Sequence, residues 1–256
     1  MKALLFPGQG SQVVGMGLQF YKDFNIVKNI FEEADSKLKF KISKIILEGP
    51  ESELKLTQNT QPAILTVSYA IYKVIEKELN LKVTDFKYFA GHSLGEYSAL
   101  VCAKSLRFID ALYLLHERGK AMQESVPIGK GGMLAVLGID IDQLENYIKK
   151  IKGNGICELA NDNAEGQIIV SGNIEKINVL KEKLKIDKKK SILLPVSAPF
   201  HCSLMKNASV KMHEKINNVN FDDPNIEIIS NVTALPEKKQ ENIRRLLVEQ
   251  IYSKVR

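Results

Sequence analysis

Residues 91–95 read Gly-His-Ser-Leu-Gly, a pattern typical of the nucleophile elbow, in which glycines on both sides of a serine allow a sharp turn. An apolar segment predicted as a strand, 86–90, precedes the pattern, and a segment predicted as a helix, 96–103, follows it. Such a pattern also arises by chance, but a strand and a helix on either side are the context that an elbow requires. We therefore predict that Ser93 is a nucleophile and that the backbone N–H of Leu94 donates a hydrogen bond to an oxyanion.

A serine nucleophile needs a base, and the sequence contains four histidines. His201 follows an apolar strand that ends in a proline-fixed turn, a position that presents a side chain at the edge of a sheet. His116 and His213 lie in helical segments beside charged residues, and we expect both to be solvated at the surface. His92 adjoins Ser93 but points to the opposite face of the strand, so we expect it to brace the elbow. His201 is the predicted base.

Arg118 is the third residue that indicates chemistry. It lies in a predicted helix over 108–122, at the rim of an apolar stripe that includes Leu115 and Met122. A guanidinium in this position needs a partner, because it cannot be neutralised by losing a proton. The partner is either a carboxylate of the protein, in a structural salt bridge, or the carboxylate of a substrate held by two parallel hydrogen bonds. The spacing does not decide between the two.

The elements that position these residues predict an α/β fold. A strand over 3–6 ends at Pro7 and the loop 8–12, helices follow over 27–38 and from Pro62, and a later strand and helix cover 226–230 and 240–252.

Between them the pattern changes to the order β-α-β-β-α-β, which is typical of a ferredoxin-like unit. We therefore predict a large α/β-hydrolase-like domain, residues 1–127 and 197–256, with an inserted small ferredoxin-like domain, residues 128–196. The predicted elements of the small domain are strands 133–138, 156–161, 167–171 and 191–196 and helices 140–151 and 174–184.

Composition excludes several other classes. The 256 residues are 45% apolar, enough for a sizeable core. No segment approaches the roughly 20 apolar residues that span a bilayer, and Pro7 interrupts the N-terminus before a signal-peptide core forms, so no membrane contact and a location in the cytoplasm are expected. The net charge of +6 suits an acidic partner, but the lysines are scattered, which argues against nucleic acid. Three separated cysteines predict buried free thiols and no metal site.

Four segments, in this order, resemble motifs of the malonyl-CoA:acyl carrier protein transacylases and the acyltransferase domains of fatty-acid and polyketide synthases. The segment 6–12 (Phe-Pro-Gly-Gln-Gly-Ser-Gln) resembles the family's N-terminal loop, and 91–96 resembles its nucleophile motif. The segment 116–119 (His-Glu-Arg-Gly) resembles the helix with the carboxylate-binding arginine, and 198–201 (Ala-Pro-Phe-His) resembles the histidine motif. The resemblance extends across essentially the whole chain.

The resemblance implies an enzyme that moves a malonyl group from malonyl-CoA to the phosphopantetheine thiol of acyl carrier protein, in fatty-acid biosynthesis, through a malonyl-serine intermediate and ping-pong kinetics. It implies that Ser93 is acylated, that His201 is the base, and that a carbonyl oxygen near Gln250 orients the histidine. Arg118 is then the group that holds the malonyl carboxylate. We expect no bound cofactor, malonyl-CoA and acyl carrier protein as partners, and a monomer.

The same resemblance implies contacts to the rest of the substrate. The backbone N–H groups of Gln9 and Leu94 form the oxyanion hole. Phe200 crowds a methyl group at C2 and so favours malonyl over methylmalonyl. Asn161 belongs to an Asn-x-Asn segment that lines the family's cleft, although a polar turn between two strands is an equal explanation.

Two departures from the family pattern stand out. Pro199 replaces an alanine found in many members, which changes the turn more than the chemistry. The chain ends at Arg256, whereas members of the family continue through a further strand and helix. We therefore expect a truncated large domain with an unpaired sheet edge or an exposed apolar face.

Two other functions remain as alternatives. A serine hydrolase of the α/β-hydrolase type needs an acid between serine and histidine, and a patatin-like enzyme leaves Arg118 and His201 without roles. A subunit that binds a carrier protein without chemistry is the second alternative, and the intact set of Ser93, His201 and Arg118 argues against it. The acidic residues that lie between serine and histidine, none of them after an obvious strand of the large domain, include Asp110, Asp140, Asp142 and Asp162.

Overall fold

The computed structural model describes residues 2–256, and the α/β prediction is confirmed by its two four-stranded sheets with flanking helices. The strands are β1 (Ala3–Phe6), β2 (Tyr88–Gly91), β3 (Gly131–Leu137), β4 (Cys157–Ala164), β5 (Gln167–Asn173), β6 (Lys190–Leu193), β7 (Glu227–Ile229) and β8 (Pro236–Glu237). The helices are α1 (Leu18–Asp23), α2 (Asn25–Leu38), α3 (Ile42–Glu48), α4 (Glu51–Leu54), α5 (Thr57–Glu78), α6 (Gly95–Cys102), α7 (Phe108–Glu124), α8 (Ile141–Lys149), α9 (Ile174–Ile186), α10 (Lys206–Asn217) and α11 (Gln240–Gln250).

The chain divides into two compact units, the first made of residues 2–120 and Glu214–Arg245 and the second of Ala121–His213 and Leu246–Arg256. The sheet of the first unit has the strand order β1-β2-β7-β8. Strands β1, β2 and β7 are parallel, and β8 pairs antiparallel with β7. At the carboxyl ends of the parallel strands, Phe6 lies opposite Gly91 and Ala90 lies opposite Ile229. Ser93 follows directly from this end of the sheet.

Helix α5 begins at Thr57, five residues before the predicted start at Pro62. Pro62 has no N–H to donate to the carbonyl of Gln58, so that oxygen lacks its usual helical partner. The Nδ1 of His116 lies 2.9 Å from the Gln58 carbonyl oxygen and supplies the hydrogen bond. The prediction of a solvated His116 is therefore wrong: its ring is half-buried, lies 5.5 Å from the ring of Phe40, and has its pKa lowered by burial.

The second unit contains an antiparallel sheet in the order β4-β5-β3-β6, with α8 and α9 contributing to its core. Its elements follow the predicted order β-α-β-β-α-β along the chain. Asp140 caps α8, because its Oδ1 accepts a hydrogen bond of 2.7 Å from the N–H of Gln143. The core is aliphatic and includes Leu134, Val136, Leu144, Ile168, Val170, Ile177, Leu180 and Leu184.

Within residues 2–256, no helix combines the length and the apolar character that crossing a bilayer requires. The three cysteines are free thiols. Cys102 and Cys202 are buried and Cys157 is half-buried. Burial raises the pKa of each thiol, and this lowers the reactivity of all three.

Two neighbouring residues on α9 test this packing. Leu180 is fully buried in the aliphatic core, whereas 44% of Val179 is exposed. We expect Leu180→Ala to lower the free energy of unfolding by about 2–5 kcal/mol, because it leaves a cavity. Val179→Ala is the matched control and is expected to change it by less than about 0.5 kcal/mol. Chemical denaturation of both variants measures the difference, and equal effects would contradict the assigned face of the helix.

Candidate active site

Ser93 occupies the turn between β2 and α6 with a backbone φ of 53°, in the left-handed region. This conformation costs a non-glycine residue on the order of 1–3 kcal/mol and persists only where the surroundings enforce it. The packing around the two flanking glycines shows how tightly the surroundings hold this turn. A Cβ on Gly91 would lie 1.9 Å from the backbone oxygen of Gly95, and one on Gly95 would lie 2.5 Å from the oxygen of Phe6. The backbone approaches itself too closely here for any side chain.

The amides at the turn differ in what they bind. The N–H of Ser93 donates a hydrogen bond of 2.7 Å to Oδ1 of Asn231. The N–H groups of Gly95 and Glu96 donate to carbonyls of the turn. Within residues 2–256, the N–H of Leu94 donates no hydrogen bond, and it lies at the positive end of α6. Its role as an oxyanion donor stays a prediction, which this geometry supports.

Arg118 lies beside the nucleophile and is 1% exposed. Its Nη2 donates to Oγ of Ser93 at 3.1 Å, and its Nη1 donates to Oε1 of Gln61 at 2.7 Å. Both acceptors are uncharged, so a carboxylate would be a stronger partner for the guanidinium than either of them.

Tight packing between α7 and the start of α5 puts the arginine there. A Cβ on Gly119 would lie 2.5 Å from Cα of Gln58, so only glycine allows the two helices to come this close. This approach brings Gln61, on α5, within hydrogen-bonding distance of Arg118, on α7. The glycine after the arginine is therefore part of what positions the guanidinium.

Two residues of α6 shape the electrostatics around Arg118. Burial lowers the pKa of the guanidinium, and the negative charges that Tyr97 and Glu96 can carry raise it. The Tyr97 ring lies 5.8 Å from the guanidinium carbon. Burial raises the pKa of Tyr97 to about 12, with Arg118 acting in the opposite direction, so the phenol is neutral at pH 7. Glu96 is the carboxylate whose field acts on Arg118, and it is 3% exposed.

In the second unit, His201 is 4% exposed, and its Nδ1 lies 2.8 Å from the backbone oxygen of Gln250. A carbonyl oxygen only accepts, so this contact requires the tautomer with its proton on Nδ1. The Nε2 of that tautomer carries a lone pair and can take a proton. Phe200, the preceding residue, is buried. The ring of Pro199 fills the space above Gly131, where a Cβ would lie 2.3 Å from the proline Cδ.

The turn after His201 is held by Glu158, whose carboxylate accepts hydrogen bonds of 2.8 Å from the N–H and 2.7 Å from Oγ of Ser203. Asn161 is 4% exposed and lies within β4, so the alternative that it belongs to a polar turn between strands is wrong. Its neighbour Asp162 donates its N–H to the oxygen of Val255 at 2.8 Å.

The remaining predicted residue, Gln9, lies in the loop after β1 and is half-buried. The hydroxyl of Ser11 closes this loop by donating to the oxygen of Gly8 at 2.8 Å. His92 joins the elbow to the same region, because its N–H donates to the oxygen of Phe6 at 3.1 Å.

The structure thus brings Ser93, Leu94 and Arg118 together in the first unit, and His201 and Gln250 together in the second. The pairing of Ser93 with His201 stays a prediction. Sequence reasoning missed Gln61 and Asn231. A signal for Asn231 was available, because it directly follows the predicted strand 226–230, and polar residues that follow parallel strands gather at one sheet edge. In the described range, 2–256, no group of three or more His, Cys, Asp and Glu side chains could hold a metal ion.

Comparisons with known proteins agree over nearly the whole chain. The family model described as acyl transferase domain matches residues 3–256. A malonyl CoA-acyl carrier protein transacylase of Bacillus subtilis (strain 168) is 45% identical over 257 residues, covering 99% of this chain and 80% of that protein. The crystal structure of an acyl-carrier-protein-S-malonyltransferase from Bartonella henselae has a TM-score of 0.96 and 42% identity, covering 100% of this chain and 82% of that one. A malonyl-transacylase solved in complex with its type II PKS acyl-carrier protein has a TM-score of 0.95 and 38% identity, covering 99% of this chain and 82% of that one.

The glycine before the nucleophile provides a test of the turn. We expect Gly91→Ala to lower the free energy of unfolding by more than about 3 kcal/mol, because its Cβ would collide with backbone rather than with a movable side chain. The control is Gly129→Ala, where φ is 81° but a Cβ would meet nothing within 4 Å, with an expected loss of about 1 kcal/mol. Denaturant titration compares the two, and a Gly91 variant no less stable than the control would contradict the close approach.

Proposed function

Because the chain belongs to the acyl transferase domain family, we propose that it transfers a malonyl group from malonyl-CoA to the phosphopantetheine thiol of acyl carrier protein. The proposal rests mainly on one observation: the buried guanidinium of Arg118 lies 3.1 Å from the hydroxyl of Ser93. An acyl group that carries its own carboxylate is the substrate that a cation in this position would select. The names of the relatives support the same acyl donor and acceptor.

In the first half of the proposed reaction, Oγ of Ser93 attacks the thioester carbonyl of malonyl-CoA while Nε2 of His201 takes its proton. The N–H groups of Leu94 and Gln9 donate hydrogen bonds to the oxyanion. The carbon–sulfur bond then breaks, and CoA leaves as a thiol with the proton from His201. In the second half, the carrier-protein thiol gives its proton to His201 and attacks the malonyl ester. The carbon–oxygen bond of the ester then breaks, and Oγ of Ser93 leaves as a hydroxyl with the proton from His201. No redox partner is needed.

Arg118 is proposed to hold the malonyl carboxylate by two charge-assisted hydrogen bonds, with Gln61 and Ser93 as its partners before substrate binds. Fixing the distal end of the acyl group in a buried site orders the ester for the thiol and leaves little room for water. Phe200 is proposed to crowd a C2 methyl group and Asn161 to contact the substrate. Both are buried, which supports close contact with a small acyl group.

We also propose the finer architecture that the sequence indicates. The parallel strands and the elbow of the first unit support a large α/β-hydrolase-like domain, predicted over residues 1–127 and 197–256. The antiparallel order β4-β5-β3-β6 and two helices of the second unit support a small ferredoxin-like domain, predicted over residues 128–196. The compact units have other bounds, because residues 121–127, 197–213 and 246–256 belong to the second unit. The absence of a bound cofactor, the monomeric state and the location in the cytoplasm stay predictions.

The first test is intact-protein mass spectrometry after brief mixing with malonyl-CoA. We expect the mass to increase by one malonyl group, because the ester on Ser93 forms before an acceptor is present. Ser93→Ala is expected to show no adduct. Added phosphopantetheinylated acyl carrier protein is expected to remove the adduct and gain the same mass.

Each alternative gives a different spectrum. Release of free malonate without transfer to the carrier protein would indicate a serine hydrolase. A folded protein that binds the carrier but forms no adduct would indicate a binding subunit. An adduct that persists in Ser93→Ala would overturn the assignment of the nucleophile.

A second test concerns selectivity. We expect Arg118→Ala to lower kcat/KM for malonyl-CoA by about 100-fold, because it removes a bidentate partner of a buried carboxylate, and to lower kcat/KM for acetyl-CoA much less. Arg118→Lys keeps the charge but not the planar fork, and its kcat/KM for malonyl-CoA is expected to lie between those of the wild type and Arg118→Ala. Steady-state kinetics with both donors measures the ratio, and an equal loss with malonyl and acetyl groups would contradict the role.

Gln61→Glu is the complementary variant, because it keeps the shape of the side chain but puts a carboxylate 2.7 Å from the guanidinium. That carboxylate competes with the substrate for Arg118. We expect KM for malonyl-CoA to rise by about 10-fold or more, with little change for acetyl-CoA. An unchanged KM would mean that the malonyl carboxylate binds elsewhere.

A further inference from the structure

We propose that Asn231 is a positioning residue that holds the nucleophile elbow in its reactive conformation, an inference that rests on the proposed role of Ser93. Asn231 is 5% exposed and lies two residues beyond the end of β7. Its side chain binds the backbone at Gly91 and at Ser93, in the first half of the turn that presents the nucleophile.

The side-chain amide continues the sheet where the backbone stops. The last backbone register pair between β2 and β7 is Ala90 opposite Ile229. Beyond it, Nδ2 of Asn231 donates to the oxygen of Gly91 at 2.7 Å, and Oδ1 accepts from the N–H of Ser93 at 2.7 Å. A residue in a parallel ladder binds its neighbour strand in the same way, through a carbonyl and an N–H two residues apart. The amide of Asn231 therefore acts as one more rung.

The two hydrogen bonds of Asn231 lie next to the least favourable backbone conformation of the turn. The φ of 53° at Ser93 is unfavourable for serine, and the two hydrogen bonds fix the peptide groups on either side of His92. The backbone N–H of Asn231 also donates to the carboxylate of Glu96 at 3.3 Å, in the first turn of α6. One residue thus joins the end of the sheet, the nucleophile and the helix that follows.

Two consequences follow for the chemistry. Because its N–H is bound to Asn231, the backbone of Ser93 does not donate to the oxyanion, which leaves that role to the N–H groups of Leu94 and Gln9. Loss of the rung would let φ of Ser93 relax, which moves Oγ and rotates the peptide that carries the Leu94 N–H. The expected defect is therefore in the rate of acylation, with binding of the malonyl carboxylate by Arg118 largely unaffected.

Asn231→Leu removes both hydrogen bonds and keeps the branching and the number of side-chain heavy atoms. We expect it to slow acylation of Ser93 by about 10-fold to 100-fold, with KM for malonyl-CoA within about twofold of the wild type. Val232→Ala, at the adjacent half-buried position, is the control and is expected to react as the wild type does. Circular dichroism and thermal unfolding verify that each variant is folded.

Asn231→Asp separates positioning from stability through its pH dependence. A protonated carboxyl has the donor and acceptor of the amide, whereas the carboxylate repels the oxygen of Gly91. Burial raises the pKa of such a carboxyl. We therefore expect the acylation rate of Asn231→Asp, divided by that of the wild type, to rise by about 10-fold as the pH falls from about 8 to about 5.5. The same ratio for Asn231→Leu is expected to stay flat. Dividing by the wild-type rate at the same pH removes the pH dependence that the proteins share through His201.

The inference would be overturned by a folded Asn231→Leu that is acylated at the wild-type rate, or by equal pH profiles for the Leu and Asp variants. Labelling with a fluorophosphonate, which reacts with activated serines whatever their acyl donor, keeps this result apart from the proposed function. Slower labelling of Asn231→Leu, in a protein that takes no malonyl group, would support the positioning role and reject the malonyl transfer. A wild type labelled no faster than its Leu variant would reject the positioning role.

Discussion

The close approach of the backbone to itself at residues 91–95 is the constraint on which the rest of the site depends. The oxygen atoms of Phe6 and Gly95 lie where any side chain on residues 95 and 91 would have to be, so the strand, turn and helix meet with no space between them. A turn this tight forces Ser93 to a positive φ, and that conformation in turn points the following amide away from the hydrogen bonds of the helix. The N–H of Leu94, unbonded within the described range, and the unfavourable backbone of Ser93 are two results of one geometric cause.

A second requirement is a full positive charge in the core. Arg118 is held by Gln61 and Ser93 and lies under the field of Glu96. Hydrogen bonds from the guanidinium to the uncharged groups of Gln61 and Ser93 are weaker than a hydrogen bond to a carboxylate. In the proposed function the malonyl carboxylate can therefore replace them. The packing of α7 on α5, which depends on Gly119, fixes this arrangement.

The sequence predicted the elements whose signals are local. Strand β1 has the predicted bounds, and β2, α6 and the order of elements from β3 to β6 follow from apolar periodicity and turn residues. Short or polar elements such as α1, α4 and β8 lack that signal and were missed. Side-chain partners were missed for another reason: Asn231 and Ser93 are 138 residues apart in the chain, and Gln61 and Arg118 are 57 apart. Spacing along the chain does not encode such contacts, and only the position of Asn231 directly after a predicted strand pointed to one of them. His116 was misjudged likewise, since its partner is a carbonyl that a proline leaves without a helical donor.

The partner of His201 fits the chemistry proposed for this family. A backbone carbonyl fixes the tautomer, as a carboxylate would, but adds no negative charge to stabilise the imidazolium. A less stabilised imidazolium gives up its proton more readily, and in the proposed reaction it gives that proton to a thiol in the first half and to the oxygen of Ser93 in the second. A thiol, with a pKa of about 8.5, needs little protonation to leave, whereas the oxygen of Ser93 depends on the proton that the imidazolium releases. In the proposed mechanism the proton passes through His201 in opposite directions in the two half-reactions, and a base of moderate strength serves each of them.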